Sequence, residues 1–178
     1  VISRYKRDYN LEFNLDEVLI SSGAKYCLYN ILMCLINPGD EVIFSSPYWV
    51  SYPDITQMAG GKPIIIQGNP ENNYKISADQ LDKAITNKTK WFIFNSPSNP
   101  SGAAYSKSEL KALTDVLLKY NHVWLLTDDI YEHIKYDNFN FFTIAQISKL
   151  KDRTLTMNGV SKSYAMSGWR IGYAAGPK

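Results

Sequence analysis

Short apolar runs alternate with stretches of helical apolar spacing along the whole chain. Residues 18–22 read as a strand, and Ala24 to Ile36 carries the i, i+3, i+4 spacing of a helix. That helix stops at Asn37-Pro38-Gly39-Asp40, a strong turn signal. Residues 41–46 form a second strand, 52–59 a short helix closed by Gly60-Gly61, and 63–67 a third strand. Ser77 with Gln80 and Ser106 with Glu109 have capping-box spacing, so one helix starts at 77 and another runs from 106 to about 120. Strands over 91–95, 123–127, 153–158 and 170–175 complete the pattern, and the residues at the start look like the end of a basic amphipathic helix.

Strands that alternate with helices imply crossover connections. The predicted fold class is therefore α/β, a mainly parallel sheet with helices on both faces, in three layers. The strands read as continuous apolar runs, as strands buried on both faces do. No repeat, charge block or linker divides the chain. In such sheets ligands bind outside the carboxyl ends of the strands. Five polar groups follow strands and should converge on one rim: Ser22 to Lys25, Ser46 to Trp49, Asn95 to Gly102, Asp128 to Tyr131, and Gly159 to Lys162.

Composition narrows the functional classes. With 178 residues, 45% hydrophobic and 20% charged, the chain suits one globular domain with a sizeable core. Nineteen basic against seventeen acidic residues leave a net charge of +2, too balanced to argue for nucleic acid or an anionic membrane. The longest nearly apolar run, Cys27 to Ile36, is ten residues, about half of what a bilayer span needs. Cys27 and Cys34 lie seven apart on one helix face, too distant to bridge, and are expected as two buried thiols in a reducing, cytoplasmic setting. His122 and His133 make no ligand cluster with them, so no metal site is expected. The chain opens at Val1 and ends at Gly176-Pro177-Lys178 just past an apolar strand, which suggests a piece of a longer polypeptide.

The rim carries specific chemistry. Lys162, after a strand and a small-residue turn, can act as a Schiff-base nucleophile where burial or neighbouring positive charge favours its neutral form, with a solvated surface lysine the bland alternative, and no other rim side chain is expected to do so. Asp128 directly follows a buried strand and needs a partner there: a structural arginine, backbone N–H groups as an N-cap, or a protonated heterocyclic nitrogen. Gly23-Ala24-Lys25 lies between strand and helix, where small residues let backbone N–H groups approach a phosphate, and Arg170 offers a planar fork for the same group. Trp49 and Tyr131 are candidates to stack on or hydrogen-bond to a flat ring, with packing the bland alternative for Trp49. Ser22 to Lys25 also matches the S-x-x-K of penicillin-recognising enzymes, but the partner signatures S-D-N and K-T-G are absent. No Walker or G-x-G-x-x-G phosphate loop is present. A phosphate, a flat ring with a basic nitrogen and an aldehyde for a lysine together describe pyridoxal phosphate.

Three motifs carry a family resemblance: Asn95–Gly102 (NSPSNPSG), Thr127–His133 (TDDIYEH) and Ser161–Gly172 (SKSYAMSGWRIG). The chain resembles the class I, fold-type I pyridoxal-phosphate aminotransferases, and residues 46–53 (SPYWVSYP) resemble the prokaryotic aspartate aminotransferase branch. The resemblance covers the whole chain. It implies that Lys162 forms the internal aldimine and shuttles the proton, that Asp128 pairs with the pyridinium nitrogen, and that Tyr131 and Asn99 hydrogen-bond the phenolic oxygen. Asn99 and Trp49 would also meet the substrate, and Ala24, Lys25 and Arg170 would hold the phosphate, with Ser161 a further contact. It implies transamination between an amino acid, aspartate, and a 2-oxo acid, 2-oxoglutarate, by a homodimer. Residues 1–178 would be the central part of the large cofactor domain, without the N-terminal arm, the C-terminal small domain and the arginine for the substrate α-carboxylate, and inactive alone. Trp49 and the apolar side of the Ala24–Ile36 helix would then lie on surface that the intact protein covers. Ala24 and Asp129 depart from the Gly and Glu usual at their positions. Other readings remain: a lyase or synthase on the same cofactor domain, an aminotransferase-like ligand sensor, or a nucleotide-binding domain.

Overall fold

A computed structural model describes residues 1–178. Helix α1 (Ile2–Tyr9) leads to strand β1 (Val18–Ser21), helix α2 (Ala24–Leu35), β2 (Glu41–Ser46), α3 (Ser51–Met58) and β3 (Lys62–Gln67). Then come α4 (Ala78–Ala84), β4 (Thr89–Asn95), α5 (Lys107–Leu117), β5 (Trp124–Asp128), β6 (Thr154–Gly159) and β7 (Gly172–Ala175). The seven strands form one sheet in the order β1-β7-β6-β5-β4-β2-β3. Both capping boxes form. The Ser77 and Ser106 hydroxyls accept from the N–H groups of Gln80 and Glu109, whose side chains accept in return from the Ser77 and Ser106 N–H groups.

Strand side chains alternate between faces, and the two cores follow from it. Ile43, Phe92 and Leu125 pack with Leu81 of α4 and Leu110, Leu113 and Leu117 of α5. Val42, Phe44, Trp91, Ile93 and Leu126 pack on the other face with Leu28 and Leu32 of α2 and Ile55 of α3. A third, smaller core joins Tyr5 of α1 to Tyr173 and Ala175 of β7.

The expected continuous burial holds for the central strands and fails at the edges. Leu19 and Ile20 of β1 are 47% and 57% exposed, and Ile65 of β3 is 39% exposed, because each of these strands has a neighbour on one side only. The parallel expectation holds for β2 to β6, whereas β7 runs antiparallel to both β6 and β1. Two reversals restore direction, so β1 still ends at the same rim as β2, β4, β5 and β6, and β7 starts there. Of the two thiols, Cys27 is buried and Cys34 is exposed, against expectation. Cys34 sits in the last turn of α2, among the exposed Met33 and Leu35, where nothing packs over the helix. Trp49 is half-buried, edge-on to Tyr52 at 5.5 Å, and so is less open than expected. No helix is long and apolar enough to cross a membrane.

Candidate cofactor site

The rim begins at the amino end of α2. Gly23 takes φ +91° there, a conformation that L side chains rarely adopt. The same residue has no room for a side chain, since a Cβ would collide with the Arg170 guanidinium. Gly172, at the start of β7, is pressed so closely on Gly23 and Ala24 that a Cβ would strike their backbone, and a Cβ on Gly159 of β6 would sit tightly, 3.0 Å from the Ile171 carbonyl oxygen. Three glycines therefore let β6, β7 and the start of α2 close on one another. The first turn of α2 has no acidic residue and no capping side chain, so its positive end is available to an anion. Arg170 reaches it from a left-handed backbone (φ 51°), with Nη1 donating to the Ser167 carbonyl at 2.8 Å. The Ser167 hydroxyl in turn donates to the Ser161 carbonyl at 3.1 Å.

Gly23→Ala should strain this corner and push Arg170 aside. We expect anion affinity, read as the dissociation constant for pyridoxal phosphate, to weaken by about tenfold, the equivalent of the ~1.4 kcal/mol that a forbidden positive φ and a lost contact together exceed. Unchanged affinity would remove Arg170 and the helix end from the anion site.

Opposite this cradle lies Asp128, the last residue of β5 and 5% exposed. Tyr52 Oη donates to Asp128 Oδ2 at 2.8 Å and the Ile130 N–H to Oδ1 at 3.3 Å. Asp128 has no cationic partner in the protein. Burial pushes its carboxyl up to about 6, and the two hydrogen bonds oppose that rise. Asp129, the next residue, turns away from the cavity and accepts from Thr127 and Thr143 hydroxyls at 2.7 and 2.6 Å. Burial pushes it up to about 7. Asn95 ties the neighbouring loops together, with Nδ2 donating to the Asp128 carbonyl and Oδ1 accepting from the Asn99 N–H, both at 2.8 Å. The Tyr131 hydroxyl is held above its ordinary range by burial and then by the Asp128 charge, with Asn99 opposing.

All nine residues singled out in the sequence line one cavity of about 200 Å³. Lys162 stands with Nζ 6.0 Å from the Tyr131 ring centre and is exposed rather than buried. A second lysine of the rim, Lys25, places its Nζ 5.0 Å over the Trp49 ring in the same cavity. Tyr52, Asn95, Ile130 and Ser167 line it too and were not singled out. Nothing in the sequence singles out Tyr52, whose bond to Asp128 spans 76 positions. A wider groove of about 1330 Å³ between α1 and α5 contains none of the candidates, and its Lys6 and Lys111 are paired with Glu12 and Asp115.

The residues fit pyridoxal phosphate on two independent observations. The start of α2, held close to Arg170 by a glycine whose Cβ would meet that guanidinium, lines the cavity with Lys25 and Arg170 as two cationic side chains, and Asp128 is a buried carboxylate lacking a cation. A protonated ring nitrogen would supply that cation, and Lys162 lines the same cavity with an amine, Trp49 and Tyr131 with aromatic rings.

An anion cradle, an amine and an unpaired buried carboxylate around one small cavity, at the strand ends of a three-layer sheet, define a cofactor-type α/β domain. The chain belongs to the aminotransferase class I and II family, whose model matches residues 1–178. It is 54% identical over 178 residues to a probable aspartate/prephenate aminotransferase of Rhizobium leguminosarum bv. phaseoli, covering 99% of this chain and 44% of that protein. It is 53% identical to the aspartate/prephenate aminotransferase of Cereibacter sphaeroides over the same shares. Among solved structures, the aspartate aminotransferase of Rhizobium meliloti superposes with a TM-score of 0.97 at 52% identity, covering 99% of this chain and 44% of that one. The Thermus thermophilus aspartate aminotransferase with maleate gives 0.93 at 39%, over 98% and 45%. The chain thus spans a little under half the length of the relatives it matches.

Proposed function

We propose that this chain is the central part of the large cofactor domain of a pyridoxal-phosphate-dependent aminotransferase, one that moves an amino group from aspartate to a 2-oxo acid, 2-oxoglutarate foremost. The observation that carries the reading is the convergence of Lys162, Asp128, Tyr131, Asn99, Trp49 and the cradle at α2 on one cavity, from the ends of β1, β2, β4, β5 and β6 and, for Arg170, the start of β7. When bound, pyridoxal phosphate supplies an aldehyde and a conjugated ring that accepts the electrons of a substrate carbanion.

The residues then divide the work. The N-terminal turn of α2, with Ala24 and Lys25, binds the phosphate with Arg170, and Ser161 adds a contact from the turn that leads to Lys162. Asp128 holds a proton on the ring nitrogen at Oδ1 or Oδ2, with Tyr52 orienting the carboxylate. Tyr131 and Asn99 orient the ring through its phenolic oxygen, and Trp49 covers one face and excludes water. Lys162 Nζ would be the amine that meets the aldehyde carbon, and would serve as the base that moves the substrate's Cα proton. Asn99 and Trp49 also border the space left for the substrate.

The intact protein is proposed to be a homodimer, which would cover the exposed Tyr26, Met33 and Leu35 of α2 and Trp169. The test is to incubate the intact protein with aspartate and 2-oxoglutarate, with and without pyridoxal phosphate, and to follow oxaloacetate and glutamate. Prephenate belongs in the acceptor panel because it stands in the names of two relatives. Cofactor-dependent, stoichiometric formation of both products is expected. Loss of the amino group as ammonia, or no turnover with any acceptor, would replace transamination by another reaction class.

A further inference from the structure

Outside the cavity lining, the structure buries an ionic cluster that the proposed chemistry leaves unused. Glu132 is 3% exposed, and its carboxylate accepts from Arg4 Nη2, from the Tyr9 hydroxyl and, at 2.9 Å, from Asn158 Nδ2. His133 Nε2 stands 3.4 Å from the same carboxylate. Arg4 Nη1 donates to the Tyr173 hydroxyl at 3.1 Å, and its guanidinium lies 4.9, 5.4 and 6.0 Å from the ring centres of Tyr5, Tyr9 and Tyr173. Asn158 Nδ2 donates also to the Asp129 carbonyl at 3.1 Å, while Oδ1 accepts from the Gly159 N–H at 2.7 Å. One hub therefore joins α1 to the turn after β5, to β6 and to β7.

Each of those three elements delivers a cavity residue close by. Tyr131 immediately precedes Glu132, Lys162 comes four residues after Asn158, and Arg170 comes three before Tyr173. A buried ion pair gives little net stability compared with apolar packing of the same volume. What it does give is direction, because its hydrogen bonds have fixed lengths and angles whereas apolar contacts can slide. We infer that Glu132 is a positioning residue, which, with Arg4 and Asn158, fixes the turn bearing Tyr131 against the strand end bearing Lys162. Its effect on cofactor binding rests on the proposed function above.

The test uses three variants of the intact protein: Glu132→Gln, Arg4→Met, and the two combined. Glu132→Gln keeps the shape, with its N–H₂ toward the Tyr9 hydroxyl, but removes the charge that holds Arg4, and the double variant leaves no uncompensated charge. In hydrogen exchange of the cofactor-free protein, amides of residues 129–133 and 159–162 should exchange about tenfold faster in Glu132→Gln, with 91–95 of β4 unchanged. The dissociation constant for pyridoxal phosphate should rise about tenfold, and kcat should fall while KM for aspartate stays within about threefold. The double variant should recover melting temperature without recovering rim protection or cofactor affinity, and it carries the test if a single variant does not fold. Wild-type rim exchange in folded Glu132→Gln, or recovery of affinity together with melting temperature in the double variant, would overturn the assignment. If the wild-type protein takes up no pyridoxal phosphate, the functional reading fails, and the exchange experiment still decides the role of Glu132.

Discussion

Lys162→Ala in the intact protein should abolish the visible absorbance of covalently held pyridoxal phosphate and lower the transamination rate by at least about 10⁴-fold. That is the upper range for loss of one general base, and in the proposed function the same amine is also the nucleophile. The phosphate cradle and Asp128 remain, so the cofactor should still bind, with the spectrum of a free aldehyde. Lys25 makes a second measurement necessary, because its amine lines the same cavity. Its place over the Trp49 ring, next to the helix end, is that of a cation kept for an anion. Lys25→Ala should therefore weaken cofactor binding and leave the covalent absorbance intact at saturation. Borohydride reduction followed by peptide mapping should put the label on Lys162. A label on Lys25, or an unchanged spectrum in Lys162→Ala, would reassign the nucleophile.

What the sequence made legible was local. Ser77 with Gln80 and Ser106 with Glu109 set their helix starts through bonds spanning three residues, so spacing alone reveals them. The rim was legible for a related reason: polar residues directly after apolar strand runs must lie at strand ends, and a parallel sheet gathers those ends. The rest depends on pairings between distant segments. Nothing in Gly172–Ala175, four small or aromatic residues, says that β7 runs antiparallel between β6 and β1. Arg4 and Glu132 meet across 128 positions, and a basic residue near the start of a chain reads as a solvated one until the fold encloses it. The departure at Asp129 could be noted as a substitution. Its consequence needed the fold, which sends Asp128 and Asp129 to opposite sides, one into the cavity and one to Thr127 and Thr143.

Asp128→Asn should separate catalysis from stability in opposite directions. A neutral amide cannot hold the proton on the ring nitrogen as an anion does, so the rate should fall by about 10³-fold or more, the scale of losing a major electrostatic contact. The cofactor should stay bound through its phosphate and through Lys162. Without cofactor the sign reverses. The Asp128 carboxyl is pushed up to about 6 from an ordinary 3.8 by burial, so the folded chain holds that proton more tightly than the unfolded one does. The resulting stability is fully present below about pH 4 and is lost as pH rises through about 6, a swing of roughly 3 kcal/mol at most. An amide never ionises, so cofactor-free Asp128→Asn should melt higher than wild type above pH 6 and lose the advantage below pH 4. The amide keeps both contacts, its oxygen accepting from the Ile130 N–H and its N–H₂ donating to the Tyr52 hydroxyl, and the gain stays under that limit because neutral partners bond more weakly than a carboxylate does. Saturating pyridoxal phosphate should erase the difference, since a protonated ring nitrogen gives the wild-type carboxylate its missing partner. Retention of more than about a tenth of the activity would leave less than ~1.4 kcal/mol resting on Asp128. Such retention, with no stability gain at neutral pH, would make Asp128 a structural residue and remove the ring-nitrogen contact from the site.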